Sequence, residues 1–295
     1  NDYENYADSD KDGVITVDYM EPGKYLVTLL PIEGYTIPDK PAEVTVKDKV
    51  TYEFIEDIEL LFSEKSEAEA RMEDSMVLGA DSYADKKQTT SFAKDGYVYG
   101  VDVSEKNTVT DWNKVYESGI RFVMLRVGYR GSISGDIVID ESFDQYATLA
   151  NRAGLDVGAY FFSQAVNEKE AVEEASAVYA CCREKNICYP ICIRIDQAGG
   201  LGRADSLDRE TRTKIAKAFL ETAKGFGYEP CVYATSNWLK TNLDMKKLSG
   251  YRIWMAQFNA NPVEDIYYDM WQYSSKGKVP GIDGEVSLSK SFLNN

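Results

Sequence analysis

Hydrophobic and polar positions follow two different patterns along the chain, separated by an acidic stretch. In residues 13–55, apolar and polar positions alternate in short runs that glycine and proline separate. Successive side chains of a strand point to opposite faces, so this alternation is typical of antiparallel strands with one buried face. It predicts a small all-β sandwich built from VITVDY, GKYLVTLL, AEVTV and VTYEFI.

After Gly96, short apolar runs rich in β-branched residues alternate with helical patterns to the end of the chain. Asp111 is placed to cap the first of these helices, and Gly154 is placed to end the second. Parallel strands that alternate with helices form either an α/β barrel or a doubly wound sheet. No GxGxxG motif or phosphate-binding loop follows the first strand, so the pattern favours a TIM-like β/α barrel. The strand-like runs are YVYGVDVS, RFVMLRVGY, LDVGAYFFSQ, PICIRID, PCVYATS, YRIWMAQF and DMWQYSS.

Between the two patterns, the composition of residues 56–95 shifts to Glu, Lys, Ser, Ala and Asp. Such a stretch can form a charged helix followed by a polar linker. The sequence therefore predicts three parts, which are a partial β-sandwich in 1–58, an acidic linker or helix in 59–96 and a barrel in 97–295.

Net charge excludes two classes of partner. The chain carries a formal charge of −16, so nucleic acid and anionic membrane surfaces are poor partners. No apolar run reaches the roughly 18 residues that a membrane helix needs, so no membrane insertion is expected. The first ten residues have neither a basic end nor an apolar core, so no secretion signal is expected within them.

The inventory of reactive side chains narrows the chemistry. The chain has no histidine, which excludes Ser-His and Cys-His nucleophile pairs and histidine metal sites. The cysteines show no CxxC spacing, so we expect mostly packed free thiols rather than a zinc site or a disulfide framework. They are Cys181, Cys182, Cys188, Cys192 and Cys231.

One acidic turn near the start imitates a calcium loop. Asp8, Asp10, Asp12 and Gly13 match the opening of an EF-hand loop, whose twelfth position should be a glutamate. That position is Tyr19, and a strand pattern follows, so a solvated turn is the better interpretation. We therefore expect no metal and no cofactor.

The stretch PICIRIDQ carries two charges on what otherwise reads as a buried strand. Because strand side chains alternate, Cys192, Arg194 and Asp196 share one face. Buried charges are costly unless they pair or do chemistry, so this pattern fits either a structural ion pair or a site.

The predicted strand ends collect carboxylates, aromatic rings and amides. In a barrel these ends meet at one face, which carries the site. Two carboxylates among rings and amides are typical of a carbohydrate cleft, although a single ring at a strand end is often core. The residues are Asp102, Ser104, Arg126, Tyr129, Tyr160, Phe162, Gln164, Arg194, Asp196, Tyr233, Trp254, Gln257, Trp271, Gln272 and Tyr273.

Several of these runs together resemble a known family. GVDVSEKNTVTDWNKV, FVMLRVGY, VGAYFFS, GYEPCVYAT, YRIWMAQF and MWQYSSKGKVPGIDGEVSLS resemble the glycoside hydrolase family 25 lysozymes, from Tyr97 to about Leu293. The resemblance implies an irregular β/α barrel that cleaves the link between N-acetylmuramic acid and N-acetylglucosamine in peptidoglycan, without metal or cofactor. Upstream, the run from DGVITVDY to GYTIPDKP resembles the last two-thirds of a B-type adhesin repeat domain, a prealbumin-like sandwich.

Carried over residue by residue, the resemblance assigns the catalytic roles to two aspartates. Asp102 matches the family's first-strand aspartate. In the fourth strand the family typically reads LDIED and this chain reads IRIDQ, so Arg194 stands at the supporting aspartate and Asp196 at the acid glutamate. Gln197 and Ser287 replace two further acidic residues.

These replacements predict impaired hydrolysis. A glycosidic general acid needs a raised pKa, whereas a nearby arginine favours the charged carboxylate. Asp is also shorter than Glu by one methylene, on the order of 1.5 Å, and a misplacement of about 1 Å can cost roughly a hundredfold in rate.

Two functions remain open, an impaired peptidoglycan hydrolase and a glycan-binding surface module that has lost catalysis. A structural spacer is a third reading, which the aromatic cleft disfavours. In the first two, the partner is peptidoglycan or a related glycan, and the location is extracellular or at the bacterial cell surface. We expect a monomer. The predicted substrate-binding residues are Tyr129, Tyr160, Phe162, Gln164, Tyr233, Trp254, Gln257, Trp271 and Tyr273.

Overall fold

A computed structural model describes residues 21–28, 41–46, 97–200, 202–258 and 266–293. The chain divides into two compact units, Asn1–Phe62 and Ser63–Asn295. The described part of the first unit is an antiparallel pair, β1 (Gly23–Val27) and β2 (Ala42–Val46). Half-buried and exposed residues alternate along β1, as the sequence pattern predicts.

Other predictions for the N-terminal part fall outside the described residues. They are the remaining sandwich strands, the charged helix after residue 55 and the turn at Asp8–Gly13. The domain limits at 58 and 96 and the resemblance to an adhesin repeat therefore stay predictions.

The second unit contains nine strands in one sheet and five helices among its described residues. The strands are β3 (Val98–Val103), β4 (Phe122–Arg130), β5 (Ile137–Ile139), β6 (Asp156–Phe162), β7 (Ile191–Arg194), β8 (Pro230–Thr235), β9 (Arg252–Ala256), β10 (Met270–Gly277) and β11 (Val286–Ser291). The helices are α1 (Trp112–Glu117), α2 (Phe143–Arg152), α3 (Glu168–Cys182), α4 (Arg209–Gly225) and α5 (Ser236–Thr241).

Eight of these strands close into a barrel. The sheet runs in the order β3-β11-β10-β9-β8-β7-β6-β4-β5, and the pairing of β3 with β4 closes the ring and leaves β5 outside it. Parallel pairing joins β3, β4, β6, β7, β8, β9 and β10 in turn, whereas β11 is antiparallel to both of its neighbours. The barrel prediction is confirmed.

The hydrophobic pattern did not predict the antiparallel strand β11. Its inward positions are serines, and two of them receive hydrogen bonds from buried interior rings. Trp254 Nε1 donates to Ser289 Oγ at 3.1 Å, and the Tyr189 hydroxyl is 3.1 Å from Ser291 Oγ. Serine is a poor sequence signal for a buried strand, yet here it supplies the partners that the tryptophan and tyrosine need.

Local signals for the helix ends agree with the structure. Asp111 accepts hydrogen bonds from the backbone N–H groups of Asn113 and Lys114, at 3.0 and 3.2 Å, at the start of α1. Gly154 follows α2 with φ of 86°, a left-handed conformation that glycine adopts without strain. Both predictions are confirmed.

Packed side chains fill the barrel below its mouth. Phe122 stacks on Tyr189 with ring centroids 4.6 Å apart, and Trp254 is 1% exposed. Cys192 and Cys231 are buried in the same cluster. A filled interior leaves the carboxyl-terminal ends of the strands as the place where a ligand can reach the barrel.

The cysteines are free thiols, as predicted, but they are not all packed. Cys182, Cys192 and Cys231 are buried, Cys181 is half-buried and Cys188 is exposed. No helix within the described ranges is long and apolar enough to cross a membrane.

Candidate active site at the barrel mouth

Asp102 lies at the carboxyl end of β3 and faces the interior. Its neighbour in the register on β11 is Ser287. Its Oδ1 accepts a hydrogen bond from Nε2 of Gln272 at 2.8 Å, and Oε1 of Gln272 accepts one from the Tyr233 hydroxyl at 2.8 Å. This chain of hydrogen bonds fixes the orientation of the Asp102 carboxyl across the top of the barrel.

Burial raises the pKa of Asp102 to about 6, although the Gln272 hydrogen bond, the Arg194 charge and a Ser287 hydrogen bond lower it. Removal of the carboxylate from water therefore outweighs the groups that stabilise its charge. Asp102 holds its proton in a large fraction of molecules at mildly acidic pH, which a general acid requires.

Arg194 is the last residue of β7 and lies between two rings. Phe162 on β6 and Tyr233 on β8 are its register neighbours, and its guanidinium carbon is 5.2 and 5.1 Å from their ring centroids. Its Nε is buried and has no hydrogen-bond partner among the described residues. Burial by itself lowers the pKa of Arg194, but the ionisable groups around it, among them the carboxylates Asp196 and Asp102, raise it overall, so the side chain stays cationic.

Asp196 follows the end of β7 and is half-buried. Its Oδ1 accepts a hydrogen bond from the Gln197 backbone N–H at 3.0 Å. Its charge contributes to the raised pKa values of Arg194 and Tyr233. Asp102, Arg194 and Asp196 thus form one electrostatic group at the mouth.

The predicted aromatic residues divide into two sets. Tyr160, Phe162, Tyr233 and Trp254 lie on the interior face, where Tyr233 and Trp254 meet edge to face with centroids 4.5 Å apart. Trp254 is almost fully buried, so it packs the core and cannot stack on a sugar. Of this set, Phe162 and Tyr233 are the rings that border Arg194.

Trp271 and Tyr273 are not brought to the mouth. Between them on β10, Gln272 points inward to Asp102, so the alternation of the strand turns both rings to the outer wall. There the ammonium of Lys290 lies 5.6 and 5.3 Å from their ring centroids. Trp271 also donates through Nε1 to the Gln257 carbonyl at 2.8 Å.

Tyr129 and Gln164 are buried near the loops that leave the strands. Tyr129 packs in a small cluster with Phe162 and Ala198. Gln164 is fully buried and donates through Nε2 to the Ser163 carbonyl at 3.1 Å. Its Oε1 accepts a hydrogen bond from the Ala204 backbone N–H at 3.5 Å, so the amide joins this segment to the loop after β7.

Asp140 is a site-forming residue that the sequence did not indicate. It is 2% exposed and its Oδ2 lies 2.7 Å from Nε of Arg126. It also accepts hydrogen bonds from Ser142 and from the backbone N–H of Glu105, which follows β3. The pair ties the loop after β3 to β4, and its two members lie 14 positions apart on different elements, so no local pattern in the sequence indicates it.

A second buried ion cluster lies at the end of β4. Arg130 donates through Nε to Glu174 at 2.9 Å and through a terminal nitrogen to Glu173 at 2.8 Å. Arg203, from the loop after β7, binds both carboxylate oxygens of Glu170 at 2.6 and 2.8 Å. The start of α3 is thereby fixed to the strands that support the mouth.

Comparison with known proteins identifies the family. The sequence profile described as "Glycosyl hydrolases family 25" matches residues 101–282, which is more than half of the chain. The chain belongs to glycosyl hydrolase family 25. Its eight-stranded closed barrel with few helices is the fold of the solved family members below.

Two curated proteins match a large part of this chain. The autolytic lysozyme of Clostridium acetobutylicum is 24% identical over 192 residues, which cover 65% of this chain and 55% of that protein. The uncharacterized protein YegX of Escherichia coli K12 is 25% identical, with 65% of this chain and 68% of that protein covered.

Solved structures show the same barrel. The modular autolysin LytC of Streptococcus pneumoniae superimposes with a TM-score of 0.59 at 27% identity, covering 67% of this chain and 47% of that one. The match therefore spans about half the length of LytC, which has also been solved with a synthetic peptidoglycan ligand. A family 25 glycosyl hydrolase of Bacillus anthracis gives 0.56 at 21% identity, with 70% and 96% covered.

Proposed function

We propose that this family 25 domain is a peptidoglycan-directed glycan-binding barrel whose hydrolysis is impaired. One observation carries the proposal, which is the permanently charged Arg194 in the mouth beside Asp196 and Asp102. A cation at this position favours the ionised form of a neighbouring carboxyl, whereas a glycosidic general acid must be protonated. We therefore expect Asp196 to be a poor proton donor to the glycosidic oxygen.

A second function, hydrolysis through Asp102 as the acid, has its own support. Burial raises the pKa of Asp102 to about 6, so this carboxyl supplies a proton at mildly acidic pH. Gln272 holds it in a fixed orientation. In this alternative, Asp196 supplies the anionic charge that stabilises the cationic transition state.

The proposed partner is peptidoglycan or a related glycan at the bacterial surface. Relatives include the autolytic lysozyme of Clostridium acetobutylicum and the autolysin LytC, which has been solved with a synthetic peptidoglycan ligand. An adhesin-like N-terminal sandwich would suit the same location, and the protein would act there as a monomer.

Two measurements on the full chain separate the functions. Cosedimentation with purified cell walls measures binding, while turbidity loss and chromatography of released muropeptides measure hydrolysis. We expect wall binding, with hydrolysis at least a hundredfold slower than that of the Clostridium acetobutylicum lysozyme. A comparable rate would overturn impairment, and Asp102→Asn and Asp196→Asn would then show which carboxyl is the acid. Absence of wall binding would overturn the proposed partner.

A further inference from the structure

Arg194 offers a binding function that the impaired acid motif alone does not describe. We propose that Arg194 makes the barrel mouth select a glycan whose sugar ring at this position carries a free carboxylate. The shared chemistry is that of a muramic acid with an unsubstituted lactyl group or of a hexuronic acid. This inference rests on the proposed glycan binding and adds the charged substituent that the site recognises.

Two aromatic rings hold the guanidinium of Arg194 in place. Phe162 and Tyr233 flank it at 5.2 and 5.1 Å, and both rings are 4% exposed, so they are fixed in the barrel wall. Two fixed rings limit the rotation of a long side chain and leave its donors ordered. An ordered guanidinium loses less conformational entropy when it binds a ligand.

Arg194 differs from the other arginines of the barrel strands in the hydrogen bonding of its Nε donor. Nε of Arg194 is buried without a hydrogen-bond partner among the described residues. Arg126 and Arg130, by contrast, have carboxylate oxygens 2.7 and 2.9 Å from Nε. Because Nε is closed to solvent, a ligand carboxylate would approach the terminal N–H groups of the half-buried side chain instead.

The shape of the guanidinium favours a carboxylate over a neutral sugar substituent. A guanidinium presents parallel N–H groups in a fork that matches the two oxygens of a carboxylate. A hydroxyl or acetamido oxygen accepts from one N–H and leaves the fork half used. The Arg194 side chain is half-buried at the carboxyl-terminal end of β7, so a sugar substituent can reach it from solvent.

Neighbouring acids limit the expected preference. Asp196 and Asp102 both contribute to the electrostatics of Arg194 and repel an incoming carboxylate when ionised. Protonation of Asp102 near pH 6 removes one of the two repulsions. We therefore expect a preference on the order of tenfold, at the low end of what a charge-assisted hydrogen bond provides.

The test compares ligands that differ in one functional group. Isothermal titration at pH 5.5 and 4 °C uses a peptide-free tetrasaccharide of alternating N-acetylglucosamine and N-acetylmuramic acid, and the same tetrasaccharide with its lactyl carboxylates converted to amides. A second pair uses a hyaluronan tetrasaccharide and its uronamide. Chromatography after each titration checks that the ligand is intact.

We expect the acid form of at least one pair to bind about tenfold more tightly than its amide. The pair that shows the difference identifies the source of the carboxylate. In Arg194→Met the acid and amide should bind equally, and Arg194→Lys should keep part of the preference. Lys290→Met is the matched control because it removes a cation from the outer wall, and it should keep the full preference.

The possible failures are distinguishable. If acid and amide forms both bind the unchanged protein with equal affinity, the inference about Arg194 is wrong while glycan binding stands. If the acid preference survives in a folded Arg194→Met, another group is responsible and the inference is also wrong. If no saccharide and no cell wall binds, the proposed function fails and the inference fails with it.

Discussion

Two arginines end two strands of the same barrel and have opposite surroundings. Arg130, at the end of β4, is buried and donates to two carboxylates and to the carbonyls of Gly135 and Glu170. Arg194, at the end of β7, is half-buried, flanked by two rings, and has a buried Nε without a hydrogen-bond partner among the described residues. The same side chain at the ends of two strands thus has four hydrogen bonds to protein groups in one place and a buried Nε without a partner in the other.

This difference suggests a structural role for Arg130 and a different role for Arg194, although both lie at the carboxyl-terminal ends of barrel strands. A buried charge with four hydrogen bonds to protein groups contributes to a fixed local conformation, and removing it leaves its carboxylate partners uncompensated. A half-buried charge with an unpaired Nε contributes less to that conformation, and we propose that it serves ligand binding instead. The comparison predicts opposite consequences for stability and for ligand recognition.

The largest effect is expected when the ion cluster of Arg130, Glu173 and Glu174 is broken. Arg130→Met leaves Glu173 and Glu174 buried without their cation, so the free energy of unfolding should fall by about 3–5 kcal/mol. Arg194→Met, the matched change, should cost less than about 1 kcal/mol. Urea unfolding followed by tryptophan fluorescence measures both. Equal losses in the two variants would contradict the distinction.

The second prediction converts the under-bonded arginine into part of an acid site. Arg194→Asp with Asp196→Glu removes the cation, adds a like charge that raises the pKa of the glutamate, and restores the missing methylene. We expect roughly a hundredfold increase in cell-wall hydrolysis at pH 5 to 7, with little gain from either change alone. Ser287 limits the gain. A folded double variant with no gain would show that the cleft has diverged in other ways.

The third prediction uses the pH dependence of stability. The pKa of Asp102 is about 6 in the folded chain and 3.8 as the ordinary value, so the folded state binds the proton more tightly. Its contribution to stability is therefore largest below pH 3.8 and is lost as pH rises through 6. Asp102→Asn should gain roughly 1–3 kcal/mol relative to the parent between pH 4 and 7. An unchanged difference across this range would contradict the raised pKa.

The smallest expected effect concerns the amide that orients Asp102. Gln272→Met removes the hydrogen bond that lowers the pKa of Asp102 and leaves the Tyr233 hydroxyl without its acceptor. The Asp102 midpoint should rise, by about one unit or less, in a carbon-13 carboxyl titration followed by NMR. Ser289→Ala, which affects Trp254 instead, is the control and should leave the midpoint unchanged.

Some of the site could be predicted because it is local in the chain. The two-residue spacing of Arg194 and Asp196 places them at one strand end, whatever the rest of the fold does. Asp111 caps its own helix through neighbours two and three residues away, so its role is written in the adjacent sequence. The alternation of strands and helices by itself limits the fold to an α/β barrel or a doubly wound sheet.

Other parts depend on residues that are far apart in the chain. Gln272 reaches Asp102 across 170 positions, and Arg130 meets its glutamates across 43 and 44. The local sequence pattern cannot predict such pairs, because the spacing of residues within one strand does not specify which strand lies beside it. The serine-rich β11 was missed for the same reason, since its inward serines are explained only by the rings they meet.

Trp271 and Tyr273 show what the sequence determines and what the tertiary structure adds. The sequence by itself determined that they share one face of β10 and that Gln272 takes the other. Only the tertiary structure decided which face is inside, because that depends on the pairing of β10 with β9 and β11 and on the closure of the ring by β3 and β4. Alternation along a strand determines which side chains share a face, whereas the closed barrel determines which face is inside. The rings of Trp271 and Tyr273 therefore pack on the outer wall, while Gln272 orients Asp102 at the mouth.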